Sequence, residues 1–194
     1  MTPELPEALR VALTVIDVLE GLGIHYHLGG SYASSLHGLP RQTQDIDLVV
    51  DLEEGVVSAL VSQLTEEFYV DESTIRRALK SKSSFNLVHL DSGIKVDLFV
   101  LGDEDFDRQE FERHRPEVVQ VDPERRVIVK TPEDIVLRKL QWYRQGGEVS
   151  DRQWTDLLAV IRTQGDRLDL VYLEQWAERL ELSDLLERAL RTES

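Results

Sequence analysis

The chain has 194 residues, of which 41% are hydrophobic and 30% charged, and its 22 basic and 37 acidic residues give a net charge of −15. This acidity argues against a protein that binds nucleic acid non-specifically or is drawn to anionic lipid by its charge. The absence of cysteine excludes disulfides, thiolate nucleophiles and cysteine-based zinc sites, and it fits a reducing compartment. Because the N-terminus lacks a signal-peptide pattern and no apolar run approaches ~18 residues, we expect a cytoplasmic protein without membrane contact.

Helices and strands are mixed in the first two thirds of the predicted structure. Apolar residues at helical spacing end at Gly21 and Gly23, which are typical of a helix stop. The segment Asp91-Ser92-Gly93 joins two apolar runs and indicates a β-hairpin. The predicted helices of this part cover 5–22, 31–37, 56–68 and 72–80, and the predicted strands cover 24–28, 46–50, 84–90, 94–101, 118–121 and 126–130.

The last third of the chain is predicted to be all helical. Thr131 is a favourable N-cap residue, Pro132 is a favourable first helical residue, and acids follow in the first turn. This helix should end before Gly146-Gly147. Further helices are predicted over 150–164, 170–180 and 182–191. We therefore expect two domains, one over residues 1–130 and a helical one over residues 131–194.

A glycine-rich turn, Gly29-Gly30-Ser31, joins a predicted strand to a short predicted helix. Glycines at such a place let the backbone approach a ligand closely. We expect Ser31 to be the N-cap residue, so that its hydroxyl and the first helical amides can donate to a phosphate. On its own, a Gly-Gly-Ser sequence is more often a turn without a ligand than a phosphate-binding site.

Two aspartates, Asp45 and Asp47, lie two residues apart in an apolar predicted strand. The period of two places both carboxylates on one face of the strand and Ile46 and Leu48 on the other. Carboxylates this close repel each other unless a cation lies between them, and hard oxygen ligands suit Mg²⁺ or Mn²⁺. Asp97 lies in another apolar strand, and it would complete a three-carboxylate metal site if the two strands were neighbours.

Each of these features also has a simpler interpretation. An Asp-x-Asp pair is common on the exposed face of an edge strand, and Asp97 could face solvent. The order and spacing together are more specific than any single feature. A Gly-Ser turn is followed by thirteen intervening residues, an Asp-x-Asp strand and a later strand aspartate.

In these motifs the chain resembles the DNA polymerase beta-type nucleotidyltransferase superfamily. The signature of that superfamily is a Gly-Gly/Ser turn, a hydrophobic-Asp-x-Asp-hydrophobic strand and a later strand carboxylate. The longer string from Gly30 to Asp47 is similar to the branch that contains the abortive-infection type IV toxin nucleotidyltransferases, and Lys139 and Asp156 are similar to positions in two helices of that branch. The core motifs of the resemblance lie within residues 25–100.

The resemblance implies an α/β (α+β) nucleotidyltransferase fold, with a mixed β-sheet flanked by helices and a C-terminal helical bundle. It implies transfer of a nucleoside monophosphate from a nucleoside triphosphate (NTP) to a hydroxyl group, with release of pyrophosphate. The implied catalytic residues, which would also bind Mg²⁺ or Mn²⁺, are Asp45, Asp47 and Asp97. The implied nucleotide-binding residues are Gly29, Gly30, Ser31, Arg41, Thr43 and Lys139.

The implied partners are an NTP and an acceptor, which could be an RNA end such as that of tRNA, a protein, or a small molecule such as an aminoglycoside. The toxin branch also implies a toxin-like role and a cognate protein partner. The alternative is a catalytically silent nucleotide-binding or protein-interaction module on the same fold. The complete set of three aspartates favours the enzyme.

The remaining charged and aromatic residues are predicted to be structural. The acidic run over 103–112 predicts a solvated helix face or loop. The basic residues over 76–82 predict a solvated face or, alternatively, the lining of a cleft. The histidines and tryptophans are expected to pack in the fold, with base stacking by Trp142 and Tyr143 as the alternative for that pair. The residues concerned are His25, His27, His37, Trp142, Trp154 and Trp176.

Overall fold

The computed structural model describes residues 5–39 and 45–193. Its strands are β1 (His25–Leu28), β2 (Ile46–Asp51), β3 (Phe68–Tyr69), β4 (Ser84–His89), β5 (Lys95–Val100), β6 (Arg115–Val121) and β7 (Glu124–Val129). Within the described ranges they form one seven-stranded mixed sheet in the order β3-β4-β5-β2-β1-β7-β6. The mixed sheet flanked by helices confirms the α/β fold class expected from the sequence.

The helices are α1 (Glu7–Gly21), α2 (Gly30–His37), α3 (Val57–Leu64), α4 (Glu72–Ser81), α5 (Asp105–Arg113), α6 (Pro132–Gln145), α7 (Asp151–Gln164), α8 (Leu170–Arg179) and α9 (Ser183–Glu193). The predicted start of α6 is confirmed, because the Thr131 side chain caps it and Pro132 is its first residue. Residues after 130 are helical, as predicted, whereas their division into a separate domain stays a prediction. Within the ranges that the structure describes, no helix is both long and apolar enough to cross a bilayer.

Strand β2 lies at the centre of the sheet, antiparallel to β1 and parallel to β5. Ile46, Leu48 and Val50 are fully buried, and α1 packs against β2 and β5. Asp47 and Val49 point to the opposite face, because successive side chains of a strand alternate. The interpretation of the Asp-x-Asp pair as part of an edge strand is therefore wrong.

The helix predicted over 56–68 is too long. Helix α3 ends at Leu64, and Phe68–Tyr69 forms the short edge strand β3, in which Phe68 pairs with His89 of β4. Phe68 is buried in the core. Phe68, the last apolar residue of the predicted helical pattern, is therefore buried as part of a strand. The spacing of apolar residues alone does not distinguish burial in a strand from burial in a helix.

The acidic run over 103–112 is not a solvated face throughout. Most of α5 lies within it, and there Glu110 is 2% exposed and lies one helical turn after the buried Phe106. A buried carboxylate is tolerated when charged partners bond it. Here Lys130 Nζ donates to Glu110 Oε1 at 3.0 Å, and Arg138 Nε donates to Glu110 Oε2 at 2.8 Å.

The C-terminal helices contact the first part of the chain through α2, which packs against α6 and α7. At the end of α2, a Cβ added to Gly38 would lie 3.1 Å from the backbone of α7 at Ala159 and Val160. The two backbones therefore approach too closely for a larger side chain at position 38. This contact holds α7 against the end of α2.

The fully buried carboxylate of Asp134 joins α6 to α8. The Tyr172 hydroxyl donates to its Oδ1 at 2.6 Å, and the Thr131 hydroxyl donates to its Oδ2 at 2.5 Å. The Arg113 guanidinium lies 3.6 Å from the same carboxylate. Burial raises the pKa of Asp134, while these two hydroxyl hydrogen bonds oppose the increase.

We expect Asp134→Ala to lower the free energy of unfolding by on the order of 3 kcal/mol, because it leaves the hydroxyls of Tyr172 and Thr131 without their shared acceptor and removes one of the two carboxylates beside Arg113. Tyr172→Phe removes one hydrogen bond and should cost about 1 kcal/mol. Urea unfolding of both variants measures the two effects. Equal stabilities for Asp134→Ala and the wild type would contradict this role.

Candidate active site

Two of the three predicted carboxylates face each other across neighbouring parallel strands. Asp47 of β2 and Asp97 of β5 occupy the same register position, and both are half-buried. The condition that the strands of Asp47 and Asp97 are neighbours is therefore met, and a metal site there stays a prediction. Because the residues on either side of Asp47 point into the core, its carboxylate is fixed on the opposite face.

The third carboxylate, Asp45, is exposed and immediately precedes β2. Burial raises the pKa of Asp47, and the negative charges of Asp97 and Asp45 raise it further, while Lys139 and Lys130 act in the opposite direction. The three acids thus interact electrostatically through Asp47. An ionised Asp47 is unfavourable in the absence of a cation.

The glycine turn is built against Asp47. The Gly29 amide donates to the Asp47 carbonyl oxygen at 2.9 Å. Gly30 has φ of +56°, and a Cβ at this position would lie 1.7 Å from Asp47 Oδ2 and 2.9 Å from Asp47 Cβ. Only glycine leaves room for the carboxylate and adopts this backbone conformation without strain.

Ser31 is not the N-cap residue that the sequence suggested. Helix α2 begins at Gly30, which itself has a positive φ, and Gly29 takes the N-cap position. Ser31 remains in the first turn, where its Oγ accepts a hydrogen bond from Arg152 Nη2 of α7 at 3.1 Å. The start of the helix still lies beside Asp47, through Gly29 and Gly30.

Lys139 is buried under the site rather than exposed in it. Its Nζ donates to Asp156 Oδ2 at 2.9 Å and to Gln153 Oε1 at 3.0 Å, so that it links α6 to α7. Its charge nevertheless acts on Asp47. The other two predicted nucleotide-binding residues, Arg41 and Thr43, lie outside the described residues.

An open cleft of about 230 Å³ extends from the glycine turn along the same face of the sheet. Its lining includes Phe99 and Trp142, which are 37% and 39% exposed, respectively. The alternative that Trp142 could meet a base is thus compatible with its place, whereas Tyr143 is buried. Lys82 also lines the cleft, which favours the cleft-lining alternative for that one residue of the basic segment.

The inner end of the cleft contains charged residues that the sequence reasoning missed, namely Lys130, Glu110 and Arg138. One signal could have found Glu110, because it follows Phe106 by four residues and so shares the apolar face of α5. Lys130 carried no comparable signal, since only the pairing of β7 with β1 brings it beside Gly29.

The residues fit a divalent cation by chemistry. Among the described side chains, no three His, Cys, Asp or Glu residues form a preformed metal-binding group. Asp45, Asp47 and Asp97 are hard oxygen donors of the kind that Mg²⁺ and Mn²⁺ prefer. The raised pKa of Asp47, caused by burial and then by the two neighbouring acids, is a charge conflict that a bound cation would relieve.

No protein-family model and no curated protein matches the chain. Among solved structures, the antibiotic-resistance factor ANT(2″)-Ia is similar, with a TM-score of 0.57 and 13% identity over 92% of this chain and 96% of that chain. An antigenic nucleotidyltransferase-like protein from Paracoccidioides brasiliensis has a TM-score of 0.54 and 17% identity over 97% and 94% of the two chains. The chain has the nucleotidyltransferase fold. At these identities the likeness concerns the fold alone.

Gly30→Ala should displace the Asp47 carboxylate, because the new methyl group would overlap it and the backbone disfavours any side chain there. We expect loss of Mg²⁺-dependent stabilisation in thermal unfolding and a destabilisation of at least about 1 kcal/mol. Gly21→Ala is the matched control, because nothing lies within 4 Å of a Cβ at that position. Equal behaviour of the two variants would contradict the proposed contact.

Asp47→Asn should stabilise the metal-free protein at neutral pH. Because burial and the acids beside it raise the pKa of Asp47 in the folded state, its ionisation costs stability, and this cost appears as the pH rises above the ordinary aspartate pKa. Relief of such active-site strain commonly yields ~0.5–2 kcal/mol.

Thermal unfolding between pH 7 and the acidic range measures this difference. The advantage of Asp47→Asn should disappear as the pH falls and Asp47 becomes protonated in both states. Added Mg²⁺ should stabilise the wild type and not the variant. If Asp47→Asn were less stable than the wild type at pH 7 without metal, the ionised Asp47 would not be destabilised by burial and by the neighbouring acids.

Proposed function

We propose that the chain is a metal-dependent nucleotidyltransferase that moves a nucleoside monophosphate from an NTP to a hydroxyl acceptor. The observation that carries the proposal is the pair Asp47–Asp97, which faces one side of the central strands directly beside the Gly30 turn. A catalytically silent module on this fold has no physical need for three acids that converge on one place.

The reaction requires little covalent chemistry from the protein. The acceptor oxygen attacks the α-phosphorus, the bond from that phosphorus to the bridging oxygen breaks, and pyrophosphate leaves with the electron pair. The hydroxyl proton passes to a carboxylate, and Asp97 is our candidate. Positioning and charge neutralisation supply most of the rate enhancement in such transfers.

Asp45, Asp47 and Asp97 are the residues that would hold Mg²⁺ or Mn²⁺. The bound cations would neutralise the phosphate charge and lower the pKa of the attacking hydroxyl. Gly30 and Ser31 would donate to the phosphates from the start of α2, where the helix dipole favours anions. Gly29, whose amide bonds the Asp47 carbonyl oxygen, would let the phosphates approach the backbone closely. Lys139, Arg41 and Thr43 complete the proposed set, Lys139 through its charge and the other two by phosphate or acceptor contacts.

The acceptor is proposed only as a hydroxyl of RNA, of a protein or of a small molecule. The toxin-like branch and a cytoplasmic location are finer proposals that rest on the sequence motifs and the lack of cysteine. Lys139 and Asp156, two of the residues on which the resemblance to that branch rests, bond each other and link α6 to α7. A cognate protein partner would belong to the same proposal.

The protein should transfer label from an α-³²P-labelled NTP to one class of acceptor. Purified protein is incubated with Mg²⁺ or Mn²⁺, each NTP in turn, and separate pools of cellular RNA, protein and small metabolites. We expect Asp97→Asn to lower transfer by about 10²- to 10⁴-fold, the usual effect of removing a general base. Asp91→Asn, in the exposed hairpin between β4 and β5, is the matched control.

Labelling of the RNA pool, the protein pool or the metabolite pool identifies the acceptor class. If no pool is labelled, and calorimetry detects no metal-dependent NTP binding that Asp47→Asn removes, the proposed activity is wrong. Binding without transfer in any pool would favour the silent nucleotide-binding module.

A further inference from the structure

Lys130 occupies the inner end of the cleft beside the glycine turn. It follows β7, and its amide donates to the Leu28 carbonyl oxygen at 3.1 Å, which fixes its backbone against β1. Its side chain is nearly buried, and it lines the cleft together with Gly29, Gly30 and Asp47. A Cβ added to Gly29 would lie 3.8 Å from Lys130 Cε and 3.9 Å from Lys130 Nζ. The ammonium group is therefore a direct neighbour of the turn.

Glu110 holds this ammonium group in place from α5. One carboxylate oxygen accepts from Lys130 Nζ at 3.0 Å, and the other accepts from Arg138 Nε at 2.8 Å. Arg138 also bonds Asp107. Arg138 and Lys130 together therefore balance the charges of Glu110 and Asp107, and the bond to Glu110 fixes the ammonium group at the edge of the cleft.

Lys130 retains unused hydrogen-bonding capacity toward the cleft. An ammonium group has three donors, and within residues 5–39 and 45–193 Glu110 is the side chain that Nζ is found to bond. A buried donor without an acceptor is costly. An anionic ligand beside Gly29 would supply the missing acceptors.

We propose that Lys130 binds the phosphate chain of the NTP and that Glu110 is the residue that positions it. This inference rests on the proposed function and adds to it a binding residue outside the motifs. The amides at the start of α2 and the Lys130 ammonium group approach the same end of the cleft from β1 and β7. A compact ammonium charge suits non-bridging phosphate oxygens, which need no planar geometry from their donor.

The chemistry favours phosphate over the nucleobase or the acceptor as the group that Lys130 meets. Lys130 lies at the glycine end, whereas Phe99 and Trp142 supply the aromatic surface that a planar ring would require. A lysine that binds only phosphate should contribute equally to every NTP and to tripolyphosphate without a base. This equality is the property to measure.

Calorimetry should be performed with the full chain, Mg²⁺ and, separately, ATP, GTP, CTP, UTP and tripolyphosphate. We expect Lys130→Met to weaken every ligand that the wild type binds by about 10- to 100-fold, the range for a hydrogen bond to a charged group. Lys130→Arg should recover part of the affinity, and Glu110→Gln should lose less than Lys130→Met. Lys80→Met, on the exposed side of α4, is the control for net charge and should change affinity by less than about twofold.

Thermal unfolding verifies that each variant is folded before binding is compared. If folded Lys130→Met binds tripolyphosphate and NTP as the wild type does, the role of Lys130 is wrong and the proposed function stands. If Lys130→Met weakens an NTP but not tripolyphosphate, Lys130 meets the nucleoside and the inference is also overturned. If the wild type binds none of these ligands, both the inference and the proposed function fail.

Discussion

The carboxylate of Asp47 occupies the space that any side chain at position 30 would need. This exclusion links the two parts of the motif, because the turn can take its left-handed conformation and begin α2 only where the residue is glycine. The Gly29 amide then bonds the Asp47 backbone, so the helix start and the carboxylate are fixed to each other. A ligand that contacts the amides of the turn must therefore lie within reach of the acid.

The charges around this contact make the ionised form of Asp47 unfavourable. Burial and the acids beside it raise its pKa, and the opposing lysines, Lys139 and Lys130, are each already bonded to another carboxylate. The formal charge of −15 therefore has two sources. Some of the acids lie on the solvated surface, and others, such as Asp47, lie together at the candidate site. Such strain is characteristic of functional sites, where a ligand completes an arrangement that the protein alone leaves unfavourable.

Local patterns were sufficient to predict the elements whose signals are short-range. The hairpin between β4 and β5, the capped start at Thr131 and the pair Asp45/Asp47 all depend on neighbours in sequence. The edge strand at Phe68 and the burial of Glu110 could not be predicted in the same way, because both depend on partners brought together by the sheet and by α6. Lys130 is the extreme case, since it meets Gly29 about a hundred residues away only through strand pairing. Sequence reasoning thus found the acids and Lys139, and missed Lys130 and Arg138.

The central claim is that Asp47 and Asp97, beside the Gly30 turn, form the place where metal and nucleotide meet. A crystal structure with Mn²⁺ and a non-hydrolysable NTP tests it most directly, because the anomalous signal of manganese locates the ions independently of the protein. The account predicts manganese bound by Asp47 and Asp97, with phosphate oxygens at the amides of Gly30 and Ser31. Manganese and nucleotide located together at a different surface, with Asp47 and Asp97 contacting neither, would contradict it.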